Sequence, residues 1–407
     1  MKCRHCSTEL TDTFVDLGFS PPSNAYLRRE DLVRPETYYP LRVMVCRSCW
    51  LVQTEDYAHH EQLFATDYAY FSSTSTTWLA HAAGYVEMIV GRLGLDGGSK
   101  VVELAANDGY LLQYMQQRGI PNLGVEPTRS TADAARAKGI RVVEEFFGVG
   151  LARKLLESEG PADLMIANNV LAHVPDINDF LGGIALLLAP DGTVTIEFPH
   201  LLNLVRFAQF DTIYHEHFSY LALGSVETMM RAQGLRVYDV EELPTHGGSL
   251  RIYACREDAA LALQPAVEAM RKREQDFGLQ DMRTYQGFQA RAETIKVDFL
   301  SFLLEQKRLG KKVMAYGAAA KGNTLMNYSG VHADLVSLVA DAATSKQSKY
   351  MPGSHVPIVS PETLIAEKPD FVVILPWNLK DEVEEQLSCI RGWGGKFAAA
   401  VPALLVW

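Results

Sequence analysis

The sequence predicts an α/β protein built of three units: a small cysteine-bearing N-terminal unit, a central parallel sheet covered by helices, and a second α/β unit after it. Three observations carry this prediction. Short apolar, strand-like runs alternate with helical patterns from residue 100 onward. A charged helical stretch from about Leu261 to Arg308, free of proline after Pro265, interrupts that alternation before it resumes. Four of the six cysteines fall in two Cys-x-x-Cys pairs near the N-terminal end. A length of 407 residues with 48% hydrophobic and 21% charged content fits two or three domains with real cores. The expected boundaries are 1–75, 76–260 and 261–407.

The N-terminal unit is rich in Thr, Pro and aromatic residues and poor in helical periodicity. Its pairs Cys3/Cys6 and Cys46/Cys49 read as one tetrahedral zinc site and not as disulfides. Four thiolates leave no coordination position for water, so the zinc is expected to be structural. An aromatic and hydroxyl cluster, Tyr68 to Ser73, closes the unit. A helix is expected over Thr77–Leu93, where Leu79, Ala83, Val86 and Ile89 or Val90 recur near helical spacing. Central strands are expected at Lys100–Leu104, Asn122–Pro127, Arg141–Val143, Asp163–Asn169 and Gly192–Phe198. Helices from Tyr110, Ser130 and Ile177 separate them, and Leu235–Glu241 with Leu250–Arg256 read as a closing antiparallel pair. The last unit has expected strands at Lys312–Tyr316, Leu335–Ala340, Phe371–Leu375 and Phe397–Val401, with a helix over Lys380–Ile390.

Neither a signal peptide nor a bilayer-length apolar run is visible, so a cytoplasmic protein without a membrane partner is expected. The formal net charge of -11 argues against a nucleic-acid partner, which calls for a basic face.

Open parallel sheets bind ligands outside the carboxyl ends of their strands. That edge of the central unit carries Glu103, Ala105, Asn107 and Gly109 after the first strand, Glu126 after the second, and Asn168 at the fourth. A carboxylate at Glu126 can accept hydrogen bonds from both hydroxyls of a ribose, and Phe146–Phe147 can flank an adenine. These are the parts of an S-adenosylmethionine (SAM) pocket. An NAD pocket shares the ribose-binding acid but prefers Gly-x-Gly-x-x-Gly, and the turn Ala105–Gly109 holds one glycine, which weakens NAD more than SAM. In the last unit Gly317–Gly322 turns from strand to helix with Lys321 in it, a combination suited to phosphate. Asp341 and Asn378 sit at later strand ends, where a nucleoside can rest. Tyr214-His215-Glu216-His217 gathers a phenol, two imidazoles and a carboxylate. An imidazole takes and returns a proton near neutral pH, so this cluster suggests methyl transfer to an acceptor that first loses a proton.

Taken together, the two Cys pairs, Glu103–Leu112 (ELAANDGYLL), Asn168–Val174 (NNVLAHV), Tyr214–Phe218 (YHEHF), Thr245–Arg251 (THGGSLR), Ala315–Tyr328 (AYGAAAKGNTLMNY) and Tyr350–Pro357 (YMPGSHVP) resemble the bacterial deoxysugar C-methyltransferases. That family acts on nucleotide-linked 4-keto sugars in antibiotic and surface-sugar pathways. The resemblance spans nearly the whole chain. It implies a zinc-binding N-terminal domain, a class I SAM-methyltransferase domain and a Rossmann-like C-terminal domain that helps hold a dTDP-linked keto sugar. It assigns the catalytic base to His217, with His215 as the competing candidate. Tyr214 and Glu216 become its catalytic neighbours, and His173 the histidine facing the sugar. It also brings in an aromatic residue of the first domain, Tyr68 by preference and Tyr70 otherwise. Phe147 joins the SAM contacts, and His215, His246, Lys321, Asn323, Asp341 and Asn378 the substrate contacts. One departure is Ala342-Ala343-Thr344 after Asp341, where many members carry Arg. Three domains enclosing one site make a monomer the expected state.

The chemistry implied is removal of a proton beside a ketone, attack of the resulting enolate carbon on the methyl group, and stabilisation of the enolate by nearby donors, with Glu216 orienting an imidazole. The rivals are methylation of a sugar hydroxyl or amine, a zinc-containing RNA-binding protein with a methyltransferase fold, and an NAD-dependent sugar oxidoreductase.

Overall fold

In the computed structural model, residues 1–55 and 71–407 are described. Three sheets organise them. The first is antiparallel, in the order β1 (Asp12–Ser20), β2 (Tyr39–Val45), β3 (Val52–Thr54) and β9 (Ser219–Tyr220). Its last strand comes from the middle of the chain, directly after the Tyr214–His217 cluster, a pairing the sequence reading did not anticipate.

The central sheet runs β10 (Leu235–Leu243), β11 (Ser249–Arg256), β8 (Leu188–Pro199), β7 (Ala162–Asn168), β4 (Val101–Leu104), β5 (Asn122–Val125), β6 (Val142–Val143). Strands β4 to β8 are parallel, while β11 pairs antiparallel with β8 and with β10. This is the class I methyltransferase order, with the strand order reversing between β4 and β7 and so opening a crevice at their carboxyl ends. Strands β4 and β7 are almost continuously buried, as expected of parallel strands covered on both faces. The expected strands and the closing pair all form. A helix over Val149–Glu159, burying Leu151, Ala152 and Leu155, was not assigned from the sequence.

The helix before β4 spans Thr76–Leu93. Ser75 caps it, its Oγ accepting from the Trp78 amide, and Gly94 ends it in the left-handed region at φ 65°. Ala82, Tyr85, Val86 and Ile89 form its buried face. Helices Pro265–Phe277 and Phe288–Arg308 supply the expected helical connection.

The C-terminal sheet runs β14 (Ile358–Val359), β13 (Val339–Ala340), β12 (Val313–Tyr316), β15 (Phe371–Ile374), β16 (Lys396–Ala399), β17 (Leu405–Val406), parallel except for β17. This is a second Rossmann-like sheet. The strand expected over Leu335–Ala340 shortens to two residues, because only Val339 and Ala340 find partners on both sides. The buried apolar residues of the first sheet, among them Phe14, Val43 and Val52, are continuous with those of the C-terminal sheet, among them Val313, Leu325 and Val373.

Candidate active site

The N-terminal cysteines converge. The four sulfur atoms of Cys3, Cys6, Cys46 and Cys49 lie within 4.8 Å of one another, with Cys3–Cys49 at 3.6 Å and Cys6–Cys46 at 3.5 Å. Two knuckles facing each other at this spacing fit a tetrahedral zinc ion with thiolate ligands only.

At the carboxyl edge of the central sheet the backbone after β4 is unusual. Ala105 (φ 55°), Asn107 (φ 49°) and Gly109 (φ 74°) all adopt left-handed conformations. Such a run is costly for residues with a side chain and is characteristic of ligand-binding turns. A Cβ on Gly109 would lie 2.3 Å from Ile140 Cδ1, so both conformation and space demand glycine there. Glu126 holds this turn: its carboxylate accepts from the Asn107 amide and from the Thr128 amide, each at 2.9 Å. Burial nevertheless raises its pKa. Glu103 is buried, and burial together with the Glu126 carboxylate raises its pKa well above the ordinary carboxylate range. Glu103 pairs with the Tyr110 side chain, while among the described residues the Asn168 and Asn169 side-chain oxygens have no hydrogen-bond partner. Buried acceptors left open at a sheet edge, beside a strained turn, fit a hydroxyl- and ammonium-bearing ligand such as SAM. Phe147, expected beside an adenine, is half-buried. Its ring turns inward to meet Phe180 edge-on at 5.5 Å, while Phe146 faces solvent.

The histidines gather beyond this edge. His217 Nδ1 lies 2.8 Å from the Thr212 carbonyl, so it carries the proton and leaves Nε2 as the acceptor. The Tyr214 hydroxyl is 2.6 Å from that Nε2. His173 approaches His217 edge-on, with ring centroids 4.7 Å apart. Burial holds His217 well below the usual imidazole pKa, and His173 adds to this. His173 and His246 are each lowered to about 4, first by burial. All three are therefore neutral near pH 7.

The neighbouring residues of the cluster point elsewhere. His215 turns to the opposite side. Its Nε2 is 3.3 Å from both the Tyr39 and the Pro40 carbonyls of β2, partners other than those of His217. Both carboxylate oxygens of Glu216 accept from Asn24 Nδ2 at 2.8 Å, which puts a loop of the first unit, not an imidazole, on that carboxylate. Tyr68 and Tyr70 lie outside the described residues.

In the C-terminal unit the turn after β12 passes through Gly317 (φ 89°) into the helix Ala320–Ser329. Lys321 Nζ donates to Asn378 Oδ1 at 2.6 Å and lies 4.7 Å from the centre of the Trp377 ring. Burial lowers its pKa, and Asp211 from the central unit acts against this. Asp211 is fully buried. Its Oδ2 accepts from Trp377 Nε1 at 2.7 Å, and burial raises its pKa to about 6. Asp341 accepts from the Ala343 amide at 2.8 Å and lies 3.4 Å from Lys346 Nζ. Asn323 is buried, and its amide donates to the Ser23 carbonyl at 2.7 Å. It ties two units together, and its Oδ1 has no partner among the described residues.

The sequence reading missed Glu197, His81, Arg251, Asp211 and Asn24. A glutamate inside the apolar strand Val194–Phe198 was the available signal, because a carboxylate buried in a sheet demands a partner.

Comparisons with known proteins agree with this architecture. Residues 3–64 match a zinc binding domain family, 78–240 a methyltransferase domain family and 244–402 the C-methyltransferase C-terminal domain family. The chain is 35% identical over 401 residues to the C-methyltransferase NovU of Streptomyces niveus, covering 98% of this chain and 95% of that protein. It is 26% identical over 119 residues to a ubiquinone biosynthesis O-methyltransferase of Bordetella avium, 29% of this chain and 45% of that one. Among solved structures, a magnesium protoporphyrin IX methyltransferase from Synechocystis with bound SAH overlaps 44% of this chain and 82% of its own, at 16% identity and a TM-score of 0.35. A SAM-dependent methyltransferase from Anabaena variabilis overlaps 43% and 84%, at 12% identity and a TM-score of 0.36.

Proposed function

The chain belongs to the SAM-dependent C-methyltransferases, and from that premise we propose that it methylates C-3, the carbon beside the ketone, of a dTDP-linked 4-keto deoxysugar. The observation that carries the reading is His217: a neutral imidazole whose Nδ1 is committed to the Thr212 carbonyl, leaving Nε2 as the acceptor, paired with the Tyr214 hydroxyl and beside His173. SAM, when bound, supplies an electrophilic methyl group and a positive charge. Glu126 and the turn Ala105–Gly109 would hold it, with Glu103 beside them and Asn168 offering an open acceptor. His217 Nε2 takes the proton from the sugar carbon. Tyr214 and His173 then face the developing enolate oxygen, where preorganised donors contribute most. Low imidazole basicity, caused by burial, keeps the base unprotonated while the substrate enters. Lys321, Asn378, Asp341 and His246 receive the nucleotide diphosphate side.

Every group in this account belongs to one chain, so a monomer suffices. No helix among the described residues is long and apolar enough to cross a membrane, and the proposed place of action is the cytoplasm.

The test is to incubate the protein with SAM and a panel of dTDP-linked 4-keto sugars. A mass gain of one methylene together with a new C–CH₃ proton signal is expected. An O–CH₃ signal instead would assign the enzyme to hydroxyl methylation, and turnover of the sugar without SAM would overturn the reading.

A further inference from the structure

One buried carboxylate at the central edge has no part in that chemistry. Glu197, near the end of β8, is fully buried and accepts from three donors: Arg251 Nη2 at 2.8 Å, His81 Nε2 at 2.9 Å and Thr245 Oγ1 at 3.0 Å. Burial pushes its pKa up, but His81 and Arg251 outweigh this and hold it below the ordinary value.

Arg251 pairs with Glu197 across β11 and β8 and also with Glu241, Nη1 to Oε2 at 3.2 Å, so one guanidinium serves two carboxylates. What Glu197 gives His81, together with Arg251 Nη2 at 3.2 Å from the same Nε2, is a fixed ring plane. That ring lies flat against Trp78, with centroids 4.8 Å apart and planes at 18°. Trp78 precedes His81 by three residues on the helix Thr76–Leu93, so both share one face. The indole in turn lies 6.0 Å from the ring of Tyr110, which follows the turn Ala105–Gly109, and meets His246 edge-on at 5.3 Å. The segment leading into the helix is fastened to the same turn: the Ser72 amide donates to Asn107 Oδ1 at 2.9 Å and the Ser73 amide to Asp108 Oδ2 at 3.3 Å.

We propose that Glu197 is a positioning residue for the methyl donor: through His81 it sets the indole of Trp78 as an aromatic wall of the SAM pocket. An indole face attracts a cation, so this wall favours the sulfonium of SAM over neutral S-adenosylhomocysteine. The inference rests on SAM lying at this sheet edge. It is independent of which sugar is methylated, so donor binding tests it without any acceptor.

The experiment is calorimetric titration of the full chain with SAM and with S-adenosylhomocysteine. Glu197→Gln and His81→Gln each weaken SAM about fivefold or more, the double variant loses no more than the worse single one, and sugar-nucleotide affinity stays within about twofold. Trp78→Leu narrows the ratio of SAM to S-adenosylhomocysteine affinity. Should Glu197→Gln fail to fold, His81→Gln and Trp78→Leu carry the test, because both leave the Arg251–Glu197 pair in place. Unchanged SAM affinity in His81→Gln, additive losses in the double variant, or an equal loss of both nucleosides in Trp78→Leu would overturn the proposal.

Discussion

At Gly109 in the central unit and at Gly317 in the C-terminal unit, the chain leaves the first strand of a parallel sheet by the same device. Both glycines have positive φ, 74° and 89°, and an added Cβ would meet Ile140 Cδ1 at 2.3 Å in one case and Pro376 Cδ at 2.4 Å in the other. The backbones agree, but the charges do not. The first edge presents Glu103 and Glu126, both buried. The second presents Lys321, desolvated and held by Asn378 against Trp377. An acidic edge suits hydroxyls and a cationic donor, and a lysine edge suits a diphosphate. Two copies of one architecture thus differ in the side chains they carry at the same edge.

The largest effect is expected between the two edges. His217→Asn should lower methyl transfer by about 10²–10⁴-fold while both ligands still bind. Exchange of the hydrogen beside the ketone, followed in heavy water with S-adenosylhomocysteine present, should vanish with it. His215→Asn should exchange normally. If His215→Asn is the variant that stops exchanging, the facing of the two imidazoles described here is wrong.

Next is the acidic edge. Glu126→Ala removes the acceptor that pins the Asn107 and Thr128 amides, and SAM binding should weaken by about 1.5–3 kcal/mol. Sugar-nucleotide affinity should hardly move, and equal losses for both ligands would erase the distinction between the edges. A smaller, opposite pattern is expected of Lys321→Ala: about tenfold weaker sugar-nucleotide binding with SAM affinity intact.

The smallest effect concerns pH. His173 and His246 have folded-state pKa values of about 4 against an ordinary value of 6.5. Between those values the unfolded chain binds more protons than the folded one, so stability is full above about pH 6.5 and falls as pH drops toward 4. Thermal melts across this window should show the decline, and His173→Asn should flatten it. A melting temperature indifferent to His173 would mean that its ring is not desolvated.

The strand-to-helix alternation was legible because buried parallel strands are short apolar runs, and all five parallel strands of the central sheet formed where expected. The cysteine cluster was legible because Cys-x-x-Cys spacing carries its own geometry. Side-chain direction within Tyr214–His217 was not, since the segment is a turn without the alternation of a strand. His215 and His217 look equivalent in sequence and face opposite ways. Asn323 reads as a polar residue beside a phosphate-type turn, yet its partner, Ser23, is 300 positions away. Glu197 was passed over because its strand was read for hydrophobicity, when the one carboxylate inside it was the informative residue.

The pairing of β3 with β9 has a practical bearing. Thr54 donates from its amide to the Phe218 carbonyl at 3.1 Å and from its hydroxyl to the His217 carbonyl at 3.2 Å. The strand that follows the second cysteine knuckle therefore cradles the backbone of the proposed base. Chimeras that exchange N-terminal units between relatives at a cut near residue 75 would sever a co-adapted frame, even though the boundary looks clean in sequence. A recombinant that carries residues 214–220 together with its own first 55 should tolerate the exchange far better than one that splits them.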